Sequence, residues 1–557
     1  MNNVVEIINE IHKYLGISEI ERKKQGEFFT PTIWVDEAHQ MISDQFGSDW
    51  KEKYIVWDCA WGTGNLTRDY KFSNLFCSTL HDSDINTAKQ MKINPEATKF
   101  QFDFLNDDLE LLKEPDYAPE LYKALQEGKE ILFLINPPYG TSSGNKNLNG
   151  IKKNISTNFI GEEMKLLKMG DAQKQLYTQF LYRISKLKNN VKISLFSPTA
   201  FLTGVYYKKF RKLFYDDFNF CDGFIMNSTE FADVKSWSLS FSIWNNSEII
   251  KTNKCIYYIK ELDDNLEIKN INKKEIYNTD YIKSANKWIR ENNNFDKIGY
   301  PQTSSALNTR KNGNGAWFDK SIGFFYNAGN SIQTNTTNQS LFTLPFYGDA
   351  QGFPFGEDKL KIISSIFTAR KSIQSNWKND KDEYIAPTEA ILNSPNYIQW
   401  NNDAIVYSLF NTSSNQSSMR QIEYKEKLWD IKNEFFWMSK KEMMDMAEEQ
   451  YFDELYTDAR NSEERYVYKT LQNITLSPDA QELLDLSKEL IKKSFKMRKF
   501  MNNEHPEYHL NAWDAGWYQM KKVLKEYHKE DYNEFVKKYK AFEDRMRPYV
   551  YKFGFLK

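Results

Sequence analysis

No stretch of this 557-residue chain approaches the roughly 20 consecutive apolar residues that span a bilayer, and its amino terminus lacks a secretory pattern. A cytoplasmic protein is expected. Cysteine is scarce: Cys59, Cys77, Cys221 and Cys255 form no Cys-x-x-Cys pair and have no histidines at zinc-binding spacing. They are expected to be reduced core thiols, not a disulfide framework or a metal site. Excess charge of either sign is also missing, with 74 Lys and Arg against 76 acids and a net charge of −2. Nucleic-acid binding would therefore need basic residues segregated onto one surface. Internal repeats are not apparent, and the length predicts two or three domains.

What is present centres on Asn136-Pro137-Pro138-Tyr139, directly after the apolar run Ile131–Ile135. Prolines end the strand, so an amide, a backbone carbonyl of fixed φ and an aromatic ring gather where open α/β sheets bind ligands. Two acceptors beside an aromatic face suit an exocyclic amino group on a planar base. A simple turn closing a core strand would use the same residues, so the rest of the chain has to decide.

Upstream, the strand Tyr54–Trp57 runs into Asp58-Cys59-Ala60-Trp61-Gly62-Thr63-Gly64-Asn65, and a helix beginning near Leu66 is expected. Glycines at such a turn admit close approach of a ligand, and a helix start favours an anion. A second strand, Leu75–Leu80, ends at His81-Asp82-Ser83-Asp84, where an acid would accept ribose hydroxyls; Asp84 competes with Asp82 for that role. A third ends at Asp103-Phe104, offering an acceptor and a ring. Singly, these aspartates read as helix caps and these rings as core. Their ordered occurrence describes a nucleoside cofactor laid across one sheet edge.

On these motifs the first 245 or so residues resemble the S-adenosylmethionine-dependent N6-adenine DNA methyltransferases of the gamma-type motif order. Gly26-Glu27-Phe28-Phe29-Thr30-Pro31 looks like the family's amino-terminal motif over the methionine end of the cofactor. The resemblance implies that Phe28, Phe29, Thr30, Pro31, Asp58, Ala60, Gly62, Gly64, Asn65, Asp82, Asp103 and Phe104 bind S-adenosylmethionine. It also implies that Asn136, Pro137, Pro138 and Tyr139 carry catalysis on a flipped-out adenine, without metal. Cys59 stands where the family usually has proline, and Trp61 where a small residue or cysteine is common. Phe231, between the last two expected strands, would help hold the base. The implied fold is a seven-stranded Rossmann-like sheet over residues 1–250.

After Tyr139 the sequence becomes a polar loop whose Lys146, Lys152 and Lys153 would close over phosphates. From 251 to 440 the βα alternation is lost, and loops rich in amides, hydroxyls and arginines predict a mixed α+β target-recognition region. Arg370, Lys371 and Arg420 are its expected DNA contacts, with Arg310-Lys311 and the basic run Lys492–Lys499 as further cations. Residues 441–557 read as helical, with one helix near Ala480–Met501. Double-stranded DNA is the expected partner, with a cognate endonuclease or specificity protein as a further one. The resemblance implies a bacterial or phage-infected cell as the setting, and restriction-modification, a solitary mark or phage self-protection as the role. Alternatives are a modification subunit dependent on a specificity protein, an RNA adenine or protein glutamine methyltransferase, and a catalytically silent DNA-binding module. Only 25 residues precede Gly26 and no nuclease signature follows, so cleavage is not expected.

Overall fold

The computed structural model describes residues 30–141, 157–187, 190–230, 236–247, 254–277, 283–292, 295–305, 307–334, 339–347, 351–379, 382–447 and 463–556. Gly26 to Phe29, Lys146, Lys152, Lys153 and Phe231 lie outside the described residues. The chain forms two compact units, one reaching residue 282 and including 376–382, the other comprising 283–375 and 383–556.

The first unit is built on a mixed, mostly parallel sheet: β1 (Ile55–Asp58), β2 (Leu75–Thr79), β3 (Thr98–Gln101), β4 (Ile131–Ile135), β5 (Val191–Pro198), β6 (Asn219–Asn227), β7 (Ser238–Asn245), β8 (Lys254–Leu262) and β9 (Ile268–Tyr277). Their order is β3-β2-β1-β4-β5-β7-β6-β8-β9, with β7 antiparallel to both neighbours. Ile131 to Ile135 are fully buried, as a central strand covered on both faces requires. Side chains alternate across it: Phe133 and Ile135 join Trp57 in one core, Leu132 and Leu134 join Val56 in the other.

Helices α1 (Thr32–Phe46) and α2 (Asp82–Gln90) cover the second core through Trp34, Ile42 and Ala88. The first is covered by α3 (Pro119–Gln126), α5 (Leu176–Ser185) and α6 (Lys208–Asp217), through Leu121, Leu181 and Phe210, with Ile160 of the short α4 (Phe159–Leu166) beside them. The Rossmann-like expectation holds for these layers, but the sheet has nine strands, not seven. The β8–β9 hairpin is the addition. Cys255 and Tyr257 of β8 and Ile276 of β9 are buried in the first core while Lys254 and Ile256 face outward. The unit therefore extends past residue 250. Residues 376–379 and Asp382 return to this hairpin, where Lys274 meets Asp382 at 2.8 Å and Lys378 meets Glu261 at 2.7 Å.

The second unit contains the ribbons β10 (Ile298–Thr303)–β11 (Thr309–Trp317) and β16 (Met419–Tyr424)–β17 (Lys427–Ile431). Between them in sequence lies a small sheet of β12 (Ser321–Asn327), β13 (Gln339–Phe342), β14 (Gly352–Gly356) and β15 (Ser414–Asn415). Its longer helices are α7 (Leu360–Ser372), α8 (Pro395–Phe410), α9 (Pro478–Glu504), α10 (Trp517–Tyr527) and α11 (Lys529–Met546). One core joins Phe325 and Leu341 of the sheet to Phe367, Ile405, Leu483, Val523 and Phe535 of the helices. The expected division near residue 440 is thus absent, because both sides of it bury their apolar residues together.

Candidate active site

The order β3-β2-β1-β4 makes the chain reverse its winding direction between β1 and β4, which opens a crevice at their carboxyl ends. A cavity of about 240 Å³ lies there, lined by residues after β1, β2, β3 and β4 and by Thr30. Asp58 ends β1 with 1% exposure; its Oδ1 accepts the Ala60 N–H at 3.1 Å, and burial pushes its carboxyl up to about 8 against that bond. Gly62 and Gly64 take positive φ values of 52° and 76° in the turn that follows. Trp61 tucks beneath Gly64, its indole N–H donating to Thr67 Oγ1 at 2.9 Å. No helix begins at Leu66: Thr67 and Arg68 instead donate to Gly64 O in hydrogen-bonded turns, so a helix dipole plays no part here. Buried His39 braces that turn through Leu66 O at 3.0 Å, and its pKa is pushed down to about 3 by burial and then by Lys51.

At the end of β2 it is Asp84, not Asp82, that faces the cavity. Asp84 is 5% exposed, lines the cavity and accepts the Thr79 hydroxyl at 2.7 Å. Asp82, expected there, is exposed at the start of α2 and accepts Asn86 Nδ2 at 2.6 Å, away from the cavity wall. After β3, Asp103 lines the cavity while its Oδ1 accepts Leu105 N at 3.0 Å and its Oδ2 accepts Asn106 Nδ2 at 2.7 Å. Phe104 also lines the cavity and stacks on Phe180 of α5, centroids 5.1 Å apart. Arg183, one turn further along α5, lies 5.1 Å from the Phe104 ring and donates to the carbonyls of Phe104 and Asp107, each at 2.5 Å. Both α5 residues escaped sequence reading because an amphipathic helix discloses its buried face but not what that face supports.

After β4, Asn136 and Pro138 line the cavity and Pro137 is buried. Asn136 Nδ2 donates to Thr30 Oγ1 at 3.1 Å, and the Tyr139 hydroxyl donates to Asn136 Oδ1 at 2.6 Å. The amide is thereby oriented from both ends. Tyr139 meets Trp237 edge-on at 5.9 Å, and burial pushes its phenol well up. Trp237, just before β7, is an aromatic neighbour that the sequence reading did not single out.

No family model matches the chain, and no curated protein matches it. Solved structures do. A cryo-electron microscopy structure of a DrdV–DNA complex covers 44% of this chain and 29% of its own at 16% identity, TM-score 0.34. The methyltransferase subunit of a type I restriction-modification system from Streptococcus thermophilus covers 42% and 47% at 17% identity, TM-score 0.29. The type IIG restriction endonuclease BpuSI covers 49% and 35% at 15% identity, TM-score 0.30. The chain thus spans less than half the length of each. Overlaps this small leave the chemistry to be read from the site's own residues.

Those residues offer a consistent set of groups for a nucleoside-bearing cofactor. Asp84 and Asp103 are carboxylate acceptors on two strand ends, and the glycine turn provides close backbone approach. Thr63 Oγ1, in the cavity wall, is buried without a protein partner; a buried hydroxyl of this kind costs free energy unless a ligand completes it. Ala60, Gly62 and Asn65 line the cavity as expected, whereas Gly64 shapes the turn.

The expected DNA contacts of the second unit fare differently. Arg370 sits on α7, fully buried, and donates to Asn327 Oδ1 at 2.6 Å and Gly329 O at 2.9 Å. Arg420 is buried against Asp514 at 3.1 Å, beside Arg465 at 2.8 Å from the same carboxylate. Neither side chain can reach a phosphate or a base edge, because each satisfies buried carbonyls and carboxylates of its own unit. Lys371 is half-buried, with its pKa pushed down to about 8 by burial and then by Arg370. Exposed Arg310, by contrast, lies 3.4 Å from the ring of Tyr347, which is 54% exposed.

Proposed function

We propose that this chain is an S-adenosylmethionine-dependent methyltransferase that methylates N6 of an adenine rotated out of a DNA duplex. One observation carries the reading: the cavity at the winding reversal joins the Asp58–Asn65 turn, Asp84 and Asp103 to Asn136, the first residue of the Asn-Pro-Pro-Tyr turn. S-adenosylmethionine, when bound, supplies a methyl group on a positively charged sulfur. Asp84 with Thr79 holds ribose hydroxyls, Asp103 accepts from the cofactor's adenine, and Thr63 completes its hydrogen bond.

The adenine amino nitrogen is a poor nucleophile, since its lone pair is delocalised into the ring. Asn136 Oδ1 and the Pro137 carbonyl accept its two N–H bonds and draw that lone pair out of conjugation. Tyr139 leaves Asn136 to stack on the base, and extrusion costs a few kcal/mol. Positioning then supplies much of the acceleration. The second unit, with Arg310 on Tyr347, serves target recognition, which favours recognition within this chain over dependence on a specificity protein. The mark would serve modification of DNA in a restriction-modification setting.

The test is expression in methylation-free cells followed by single-molecule sequencing for N6-methyladenine. A unique methylated motif is expected; unmodified DNA beside methylated RNA or glutamine would overturn the reading.

A further inference from the structure

Resting on the cofactor reading above, we propose that Arg183 of α5 is a positioning residue, which fixes the turn after β3 so that Asp103 meets the exocyclic amino group of the cofactor's adenine. Arg183 thereby sets the site's preference for an adenosine-bearing over an inosine-bearing cofactor.

The turn from Asp103 to Asp107 is closed on itself and clamped by the guanidinium. Asp103 N–H donates to Asp107 Oδ2 at 2.8 Å, and Asp107 N–H donates to Asp103 O at 2.9 Å. Arg183 Nη1 donates to Phe104 O and Nη2 to Asp107 O, each at 2.5 Å, so one rigid planar fork spans the turn. The Asp103 carboxylate is aimed in turn by Leu105 N and Asn106 Nδ2. Asp103, Phe104, Leu105 and Asn106 all line the cavity, whereas Arg183, 8% exposed, does not. It acts through the turn and not by touching the cofactor.

Packing alone does not call for a cation at this place. Helix α5 already buries Phe180, Leu181 and Ile184 in the first core. The Arg183 fork donates to neutral carbonyls, not to a carboxylate, and a buried cation so held costs more to desolvate than an apolar side chain of similar volume. What the fork adds is geometry, since it also lies 5.1 Å from the Phe104 ring and 5.8 Å from the Phe102 ring. Arg211 of α6 is a useful contrast: fully buried, it donates to Phe201 O at 2.9 Å and Gly204 O at 3.0 Å, on a turn that does not line the cavity. Adenine offers N–H donors where hypoxanthine carries a carbonyl oxygen. A carboxylate fixed against that position accepts from the first and repels the second, and a site built for a hydrogen bond rejects an analogue that cannot make it.

The experiment titrates the full chain and its variants R183M, R183K and R211M with S-adenosylhomocysteine and S-inosylhomocysteine by calorimetry. Wild-type protein should bind the adenosyl compound at least about tenfold more tightly than the inosyl one. R183M should lose about tenfold in adenosyl affinity and bring that ratio to within about threefold. Its kcat at saturating S-adenosylmethionine should stay near the wild-type value, because the lost interaction acts on cofactor binding and not on Asn136. R183K keeps a donor without the planar fork and should fall between the two; it carries the test if R183M does not fold. R211M removes a comparable buried cation elsewhere and should keep the wild-type ratio. A wild-type ratio retained in the folded Arg183 variants, or lowered equally by R211M, would overturn the positioning role alone. A wild-type chain that binds neither compound would overturn the cofactor reading, and one that binds both equally would overturn the assignment of Asp103 to the adenine.

Discussion

Replacing Thr30 by valine removes one hydrogen-bond acceptor while keeping the side chain's shape, and so tests how the Asn136 amide is oriented. In the structure Thr30 Oγ1 accepts from Asn136 Nδ2 at 3.1 Å and Tyr139 donates to Oδ1 at 2.6 Å. Once Tyr139 moves to stack on a base, the Thr30 bond opposes a half-turn of the amide that would present N–H groups to the substrate's N–H groups. A neutral hydrogen bond is worth about 0.5–1.5 kcal/mol net, and a stranded donor costs about 1–3 kcal/mol. Taking about 1.4 kcal/mol, kcat of Thr30→Val should fall about tenfold. Because the bond acts on Asn136, cofactor affinity should stay within roughly twofold, less than 0.5 kcal/mol. Thr30→Ser, which keeps the oxygen, should restore most of kcat. Single-turnover methylation of a duplex and calorimetric cofactor titration would measure the two quantities. An unchanged kcat in Thr30→Val, or a loss confined to cofactor affinity, would refute the argument.

Three further outcomes follow from the same geometry. Asp84→Ala should weaken S-adenosylmethionine binding by at least tenfold, about 1.4 kcal/mol, while Asp82→Ala changes it little; equal effects in calorimetry would return the ribose role to Asp82. The folded Asp58 carboxyl titrates at about 8, above its ordinary 3.8, so it contributes stability fully below pH 3.8 and loses it as pH rises through about 8. Wild-type melting temperature should therefore decline over that window more steeply than that of Asp58→Asn, and parallel curves would contradict the shift. Burial raises the Asp514 pKa but Arg465 and then Arg420 more than offset this, so Arg420→Ala should cost about 3–5 kcal/mol in urea unfolding. A stable Arg420→Ala chain defective only in DNA binding would restore Arg420 to a surface role.

Much of the first unit was legible because its information is local. A short strand, then a turn residue with distinctive chemistry, recurs at Asp58, Asp103 and Asn136, and each expected strand end lies at the cavity. Asp82 and Asp84, two residues apart, could not be ranked until the start of α2 turned one outward and one inward. Thr30 and Asn136 are 106 residues apart, a pairing no spacing rule would find. The same limit explains Arg370 and Arg420: their partners lie 43 and 94 residues away, and without them an arginine among Ser, Asn and Thr reads as a surface group. The β8–β9 hairpin escaped because β9 is largely solvent-facing and rich in Lys and Asn, leaving a weak apolar alternation.

The most direct test incubates the purified chain with duplex DNA and isotope-labelled S-adenosylmethionine, then digests the DNA and identifies the labelled nucleoside by mass spectrometry. Wild-type protein should give N6-methyldeoxyadenosine, and Asn136→Ala should give none while still binding the cofactor. Label on another base or on none, or full activity in Asn136→Ala, would contradict the assignment of Asn136 to Tyr139 as the catalytic turn.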